Sequence, residues 1–287
     1  MAALVVEGMR PRQWLKNAFV FGGLVFSGEA LDAGPAATSA LVFCAFCLAS
    51  GSGYLLNDVI DVDADRHTAR TAGRPIARGE LAPRTALLAA LLATVLAFVL
   101  VAFTNWQTLV TLAGFAALQI AYSLVLKHVL IVDVMAIAAG FVLRAYAGLI
   151  AIEVEFSVWL LLCTGLLALF LGFAKRRAEV LAVGGAAAPR RPVLEGYSMD
   201  LIDKLTTVVT PSIAVAYLLY AVLGAKTQLM LLTVPFVLYG IYRVLYLIHH
   251  GSSLPDDPTE LVWRDRPLQW CVALWIAAAA AVTLAAT

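Results

Sequence analysis

Apolar runs of about 20 residues recur along the whole chain, each long enough to cross the hydrocarbon core of a bilayer as a helix. Within lipid every backbone polar group must be satisfied internally, which a helix does within its own segment. Runs of this length without strict alternation predict helices. They lie near 18–31, which is short, and near 36–56, 85–103, 107–126, 132–152, 156–174, 206–224, 228–248 and 268–286. The expected fold is therefore an all-α integral membrane protein with about nine transmembrane helices. The composition agrees. Hydrophobic residues make up 62% and charged residues 14%, against roughly half and a quarter in a soluble domain. No soluble domain or low-complexity tail interrupts the pattern, so residues 1–287 read as a single transmembrane domain.

The charges orient it. With the N-terminus in the cytoplasm, the loops 57–84, 127–131, 175–205 and 249–267 share its side, and nearly every Lys and Arg falls there. The opposite loops hold Lys226 with Glu29, Asp32, Glu153 and Glu155. That asymmetry follows the positive-inside rule and predicts a multi-pass protein of the cell membrane with its polar loops cytoplasmic and its C-terminus outside. Trp14 and Trp106 fit interfacial anchors. The N-terminal segment, with Glu7, Arg10, Arg12 and Lys16, lacks the order of a cleavable signal peptide. A net charge of +1, with no basic stripe interleaved with aromatics, excludes a nucleic-acid surface. Cys44 and Cys47 are spaced like a redox or zinc pair, but no second pair or His cluster accompanies them, and packing within a span is the better reading. Gly51 and Gly53 permit close helix contact, within one chain or between chains of a homo-oligomer.

The densest charged stretch follows the second run. Asn57, Asp61 and Asp65 stand at i, i+4 and i+8, and Asp58 is three before Asp61. On a helix continuing the preceding span these four share a face, and Asp63 points elsewhere. Stacked carboxylates repel, and a bridging cation removes that repulsion. A solvated loop of mixed charge is the plain alternative. Four aligned oxygen side chains beside a membrane favour a hard cation such as Mg²⁺, which shares its shell with substrate phosphates. Asp58 and Asp61 are the expected catalytic carboxylates, within a metal set of Asn57, Asp58, Asp61 and Asp65.

Cations crowd the same side. The span near 107–126 runs into Tyr122 and Lys127, followed by Asp133, and the span near 156–174 runs into Lys175, Arg176 and Arg177. Taken alone, Lys127 reads first as a positive-inside anchor, while Lys175, Arg176, Arg177, Lys16 and Arg10 read equally as anchors or as phosphate ligands. Arg144 lies inside an apolar run, where a charge is costly unless it faces a cavity or partner. Asp133 is eleven residues away, about 16 Å along a helix, too far to pair with it. An anion ligand is the favoured role for Arg144. His67, His128, His249 and His250 lack metal-ligand spacing, and Arg264-Asp265-Arg266-Pro267 reads as a local loop clamp. Carboxylates and cations on one rim suit a substrate with several phosphates bound together with Mg²⁺. A transporter would instead carry polar groups through the midplane and on both faces.

Asn57-Asp58-x-x-Asp61-x-x-x-Asp65, followed by Arg66 and Arg74-Pro75, resembles the first signature of the UbiA superfamily of intramembrane prenyltransferases. Within it, several further motifs resemble the decaprenyl-phosphate phosphoribosyltransferase branch. They are Arg10-Pro-x-Gln-Trp-x-Lys16-Asn17, Tyr122-Ser-x-x-x-Lys127, Asp133-Val with Gly140-Phe-Val-Leu-Arg144, Lys175-Arg-Arg-x-Glu179, and Pro258-Thr-Glu-Leu with Asp265-Arg-Pro. The resemblance implies Mg²⁺-dependent transfer of 5-phosphoribose from phosphoribosyl diphosphate to decaprenyl or another polyprenyl phosphate, on the path to cell-wall arabinan of the arabinogalactan. It implies substrate contacts from Lys16, Arg66, Arg74, Tyr122, Lys127, Asp133, Arg144, Lys175 and Arg177. Aromatic prenyltransferases of the superfamily carry a second acidic pair in the later loop. Here Asp133 has Ile137 four positions on, a departure that suits a donor with an extra phosphate. The alternative is a prenyltransferase that moves a prenyl group from its diphosphate to a polar or aromatic acceptor.

Overall fold

A computed structural model describes residues 1–68, 71–154, 157–183, 192–250 and 261–286. Its helices are α1 (Ala2–Gly8), α2 (Gly22–Ser27), α3 (Ala33–Ile60), α4 (Val62–Arg66), α5 (Pro83–Val101), α6 (Trp106–Leu124), α7 (Val132–Ala151), α8 (Val158–Val183), α9 (Pro192–Glu195), α10 (Met199–Leu219), α11 (Val234–His250), α12 (Leu261–Arg264) and α13 (Arg266–Leu284). Tight 3₁₀ stretches cover Pro11–Phe21, Leu126–His128 and Gln228–Thr233, and a π turn, Tyr220–Gly224, ends α10. Among the described residues eight helices are long and apolar enough to cross a membrane.

The expected first span, 18–31, is not a continuous helix. The crossing starts earlier and is broken, made of the 3₁₀ stretch Pro11–Phe21 and the six-residue α2. It runs beside α7, from Arg10 against Asp58 at one end to Ser27 at the other, where the Ser27 carbonyl accepts from Lys226 Nζ at 2.6 Å. Close approach to α7 explains the departure. A Cβ on Gly148 would stand 1.9 Å from the Val20 carbonyl oxygen, and one on Gly23 3.1 Å from the Leu149 backbone. Gly51 and Gly53 also serve contacts within the chain, against Met9 and Gln119.

α7 is the central helix. On one side Phe46, Leu112 and Phe115 form a buried cluster with Val20 and Ala147, and on the other Val134 joins Phe170, Ile202, Ile213 and Ile241. The face of α5 turned inward is Ala86, Ala90, Ala93 and Ala97, small residues that let it lie close to its neighbours. Its Leu87, Leu88, Leu91, Leu92 and Val95 are exposed, as suits a lipid-facing surface. Helix starts follow capping chemistry. The side chains of Asn105, Ser198 and Asp265 accept from the backbone N–H three residues on, and Pro83 sits in the first turn of α5. Asp265 also binds Arg243 on α11 at 2.8 Å, so the expected loop clamp joins two helices. The Arg243 hydrogen bond holds the Asp265 carboxyl below its ordinary value against a smaller opposing effect of burial.

Length places the polar groups. α3 has 28 residues, about 42 Å, against a hydrocarbon core of about 30 Å. α8, with 26 residues, overshoots likewise. The end of α3, carrying Asn57 and Asp58, and the final third of α8, carrying Arg176, Arg177 and Glu179, meet at one end of the bundle with Lys127 in the 3₁₀ turn that follows α6. The expected loops are thus partly helical. α3 and α4 take up much of 57–66, and α8, α9 and α10 take up much of 175–205. The Gly-rich stretch 184–191 and Pro258-Thr-Glu lie outside the described residues.

Gly148→Ala should destabilise the fold by about 3 kcal/mol, because backbone rather than a movable side chain blocks the added methyl. Gly114→Ala on α6, with nothing within 4 Å of the new Cβ, should be neutral or stabilising by up to about 1 kcal/mol. Unfolding of both variants in detergent, compared with the parent, checks the pair.

Candidate active site

The α3 helix yields at Asp61, whose φ of −94° and ψ of 8° join α3 to α4. The stacking of the acidic residues survives this break. Asp61 N donates to Asn57 O at 2.9 Å and Asp65 N to Asp61 O at 2.8 Å. Asp58 and Asp65 are buried, while Asp63 is 89% exposed and points away as expected.

Each stacked carboxylate has a cation against it. Asp58 accepts from Arg10 and, at 3.0 Å, from Arg74 Nη1. The same Arg74 nitrogen reaches Asp65 Oδ2 at 2.5 Å. Lys127 Nζ donates to both oxygens of Asp61, at 2.6 and 2.8 Å, and to Asn57 Oδ1 at 3.3 Å. Three carboxylates are thus matched by three cations from three other parts of the chain. Burial, with Arg10 alongside, lowers the Arg74 guanidinium below its ordinary value, and Asp58 and Asp65 oppose that shift. Arg10 has φ of +53°, so the chain doubles back and its guanidinium lies 4.8 Å over the Tyr54 ring as well as on Asp58. As the side chains stand, no three acidic, His or Cys groups among the described residues converge to hold a metal ion. Asn57, Asp58, Asp61 and Asp65 are nonetheless hard oxygen donors of the kind Mg²⁺ takes.

A second buried ionic group lies beside the first. Asp133 is fully buried, accepts from the Tyr197 hydroxyl at 2.7 Å and stands 2.7 Å from Arg176 Nε. Arg176 also pairs with Glu179. Asp133 therefore lies among Tyr197 and Arg176, not between Lys127 and Arg144 as its sequence neighbours suggest. Burial pushes the Tyr197 phenol up, and Asp133 adds to the shift, so the phenol stays a donor.

Arg144 is 7% exposed on α7 and, as its spacing requires, does not meet Asp133. It donates to Asn17 Oδ1 at 2.6 Å and Ser50 Oγ at 3.3 Å, with its guanidinium over the Phe115 and Phe141 rings. Ser50 precedes Asp58 by eight residues, about 12 Å along α3. Arg144 thus forms the floor beneath the carboxylates. Arg177 turns sideways to Asp203, at 3.2 Å, and to the Ile248 carbonyl. Arg66 is half exposed and reaches the Ala77 carbonyl and Asp63. Tyr122 is partly buried near Arg176, and Lys16 and Lys175 are partly buried. Cys44 and Cys47 are free, and Cys47 Sγ accepts from Asn17 Nδ2.

Sequence spacing gave no carboxylate partner for Arg10 or Arg176, which read as membrane anchors or phosphate ligands, and no role for Tyr197. Tyr197 carries no local signal beyond standing ahead of the N-cap Ser198.

Residues 18–264 match the UbiA prenyltransferase family. The chain belongs to that family. A decaprenyl-phosphate phosphoribosyltransferase of Mycolicibacterium smegmatis is 32% identical over 285 residues, covering 95% of this chain and 90% of the relative. One from Mycobacterium tuberculosis is 28% identical over 281 residues, covering 96% and 93%. Among solved structures, a UbiA homolog from Archaeoglobus fulgidus bound to GPP and Mg²⁺ superposes with a TM-score of 0.76 at 20% identity, over 98% of this chain and 99% of that one. This UbiA-family chain is therefore a multi-pass membrane protein whose acidic signature lies at one end of the bundle.

Asp61→Asn should destabilise the protein by about 1–3 kcal/mol, since it removes the charge facing the buried Lys127 ammonium. Asp63→Asn should change stability by less than about 0.5 kcal/mol. Thermal unfolding of the two side by side separates the carboxylate facing a buried cation from the exposed one.

Proposed function

We propose that this chain transfers 5-phosphoribose from phosphoribosyl diphosphate to decaprenyl or another polyprenyl phosphate, releasing diphosphate, at the cytoplasmic end of the bundle in the cell membrane. The observation that carries the reading is the matched set of Asp58, Asp61 and Asp65 with Arg10, Arg74 and Lys127. When a metal occupies the carboxylates, those cations are freed to hold phosphate oxygens. A donor with a diphosphate and a further 5-phosphate needs such a reserve. The names of the mycobacterial relatives support decaprenyl phosphate as acceptor and phosphoribose as the group moved, and the placement of Lys and Arg supports the cytoplasmic orientation.

Asn57, Asp58, Asp61 and Asp65 would hold Mg²⁺, which would supply charge neutralisation for the donor diphosphate. Lys127, Arg10 and Arg74 take its remaining oxygens, with Lys16, Arg66, Tyr122, Lys175 and Arg177 around the rim. Arg144 and Asp133 act from below and beside the site. The ribose C1–O bond breaks with oxocarbenium character, and its electron pair leaves on the diphosphate. The cations stabilise that developing charge. An oxygen of the polyprenyl phosphate bonds to C1 from the opposite face, so the anomeric configuration inverts. The nucleophile is already anionic near neutral pH, so no side chain acts as general base.

A second reading is favoured by the diphosphate-bound archaeal structures. In it the lipid diphosphate is the donor and a polar or aromatic molecule the acceptor. A donor swap on purified protein with Mg²⁺ decides. Label moving from phosphoribosyl diphosphate into polyprenyl phosphate is the expected result. Product from a polyprenyl diphosphate and an aromatic acid alone would establish the second reading. Asp58→Ala and Lys127→Ala should each lower transfer more than about 100-fold in folded protein, and a folded, fully active Asp58→Ala would refute the metal assignment.

Calorimetry checks the charge balance. Mg²⁺ titrated alone should bind weakly, and inorganic diphosphate should tighten its apparent Kd at least about tenfold. Equal Mg²⁺ affinity with and without diphosphate would count against the exchange of cations.

A further inference from the structure

The stretch that carries Lys127 ends in a strained residue. Ile131 has φ of +69° and ψ of −44°. A β-branched residue with positive φ is an outlier that the surrounding structure must hold in place. The Ile131 amide donates to the Tyr197 hydroxyl at 3.0 Å. That hydroxyl in turn donates to Asp133 Oδ1, whose other oxygen faces Arg176. Leu130 closes on Gly196, where an added Cβ would stand 3.1 Å from Leu130 Cδ1. The bend between α6 and α7 is thus fastened to the segment ahead of α10. The fastening is buried: Asp133 is 0%, Arg176 1% and Tyr197 3% exposed.

Four residues before Ile131, Lys127 reaches back to Asn57 and Asp61. It does so from a single 3₁₀ turn, Leu126–His128, too short to fix its own direction. Hydrogen bonds from Val129 N to Leu126 O and from Asp133 N to Val129 O connect that turn to the start of α7. The direction of the Lys127 side chain therefore depends on what holds Ile131.

We infer that Tyr197 is a positioning residue for Lys127: its hydroxyl holds the left-handed bend at Ile131 and so aims the ammonium at the acidic turn. This rests on the reading that Lys127 holds donor diphosphate. It adds a control element from the far half of the chain, 70 residues from Lys127. Without the hydroxyl, the Ile131 amide loses its acceptor and the bend relaxes toward ordinary backbone. The Lys127 ammonium then leaves Asp61 for solvent.

The test uses full-length protein in detergent, without substrate, and an acetylating reagent for amines read out by mass spectrometry. Lys204, 73% exposed, serves as the reference, and Lys226, whose exposed side chain donates to the Ser27 carbonyl at the opposite end of the bundle, reports whether that contact is lost. Tyr197→Phe keeps the ring and should raise Lys127 labelling about tenfold relative to Lys204, the scale of effect seen when an outer partner of a site residue is removed. Lys226 should stay unchanged. Adding Ile131→Gly, which adopts positive φ without strain, should return Lys127 to the parent level. Unchanged Lys127 labelling in Tyr197→Phe overturns the inference. So does a parallel rise at Lys226, or failure of Ile131→Gly to restore protection. Should Tyr197→Phe not fold, a folded double variant with Lys127 at the parent level supports the inference, and a double variant that also fails to fold overturns it. Labelling needs no substrate, so its outcome is independent of the donor swap. In protein that passes the donor swap, Tyr197→Phe should lower kcat and kcat/KM for phosphoribosyl diphosphate together by about tenfold, the signature of a lost contact to charge that develops in the transition state.

Discussion

A charge drawn into an apolar bundle must be compensated where it stands. A carboxylate or guanidinium left alone there forfeits solvation worth several kcal/mol, and removing one partner of a buried pair strands the other. This chain meets the requirement in three ways, two at one end of the bundle and one deeper inside it. Asp58, Asp61 and Asp65 take Arg10, Arg74 and Lys127. Asp133 takes Arg176 and the Tyr197 hydroxyl. Arg144 takes an amide oxygen, a hydroxyl and two aromatic faces. Every one of these sets joins separate elements. Lipid tails are as apolar as Leu, so burial alone gives transmembrane helices little preference among registers. The polar sets supply that preference.

Close backbone contact does the rest. The broken first crossing lies against α7 because Gly148 leaves room for the Val20 carbonyl and Gly23 for the Leu149 backbone. A regular helix with ordinary side chains could not approach so near. The contact also brings Asn17 to Arg144, which ties the crossing to α3 through Ser50. Packing and polar contacts here are one arrangement: the glycines set the distance, and the arginine reads it.

Most of the fold was legible because its evidence is local. Twenty apolar residues, a Pro at a helix start, or carboxylates at i, i+3 and i+7 announce themselves within one window. The break at 11–27 was not legible, since hydropathy counts composition and is blind to a helix that yields to its neighbour. The acidic turn was read from spacing, and its partners were not. Arg74 lies 16 residues from Asp58, Arg10 48, and Lys127 66 from Asp61. No period connects such distances. Asp133 shows the same limit, because its cation comes from α8 and not from the residues on either side of it in sequence.

The balance of the acidic turn constrains how a metal can enter it. With Arg10, Arg74 and Lys127 already on Asp58, Asp65 and Asp61, a lone divalent ion would add two charges to a compensated group and displace cations with nowhere to go. A diphosphate arriving with the ion changes the sum. On the proposed function its oxygens would receive the displaced guanidinium and ammonium groups, and the carboxylates would be free to hold the metal without any charge being left bare. On the proposed function, then, the ion pairs are more than a resting state. They keep the carboxylates and cations within reach of one another, so that binding exchanges partners and builds no new group of charges. The strength of each pair sets how readily it exchanges. Lys127, with two short bonds to Asp61 and a strained bend behind it, is the partner whose release the surrounding structure most directly governs.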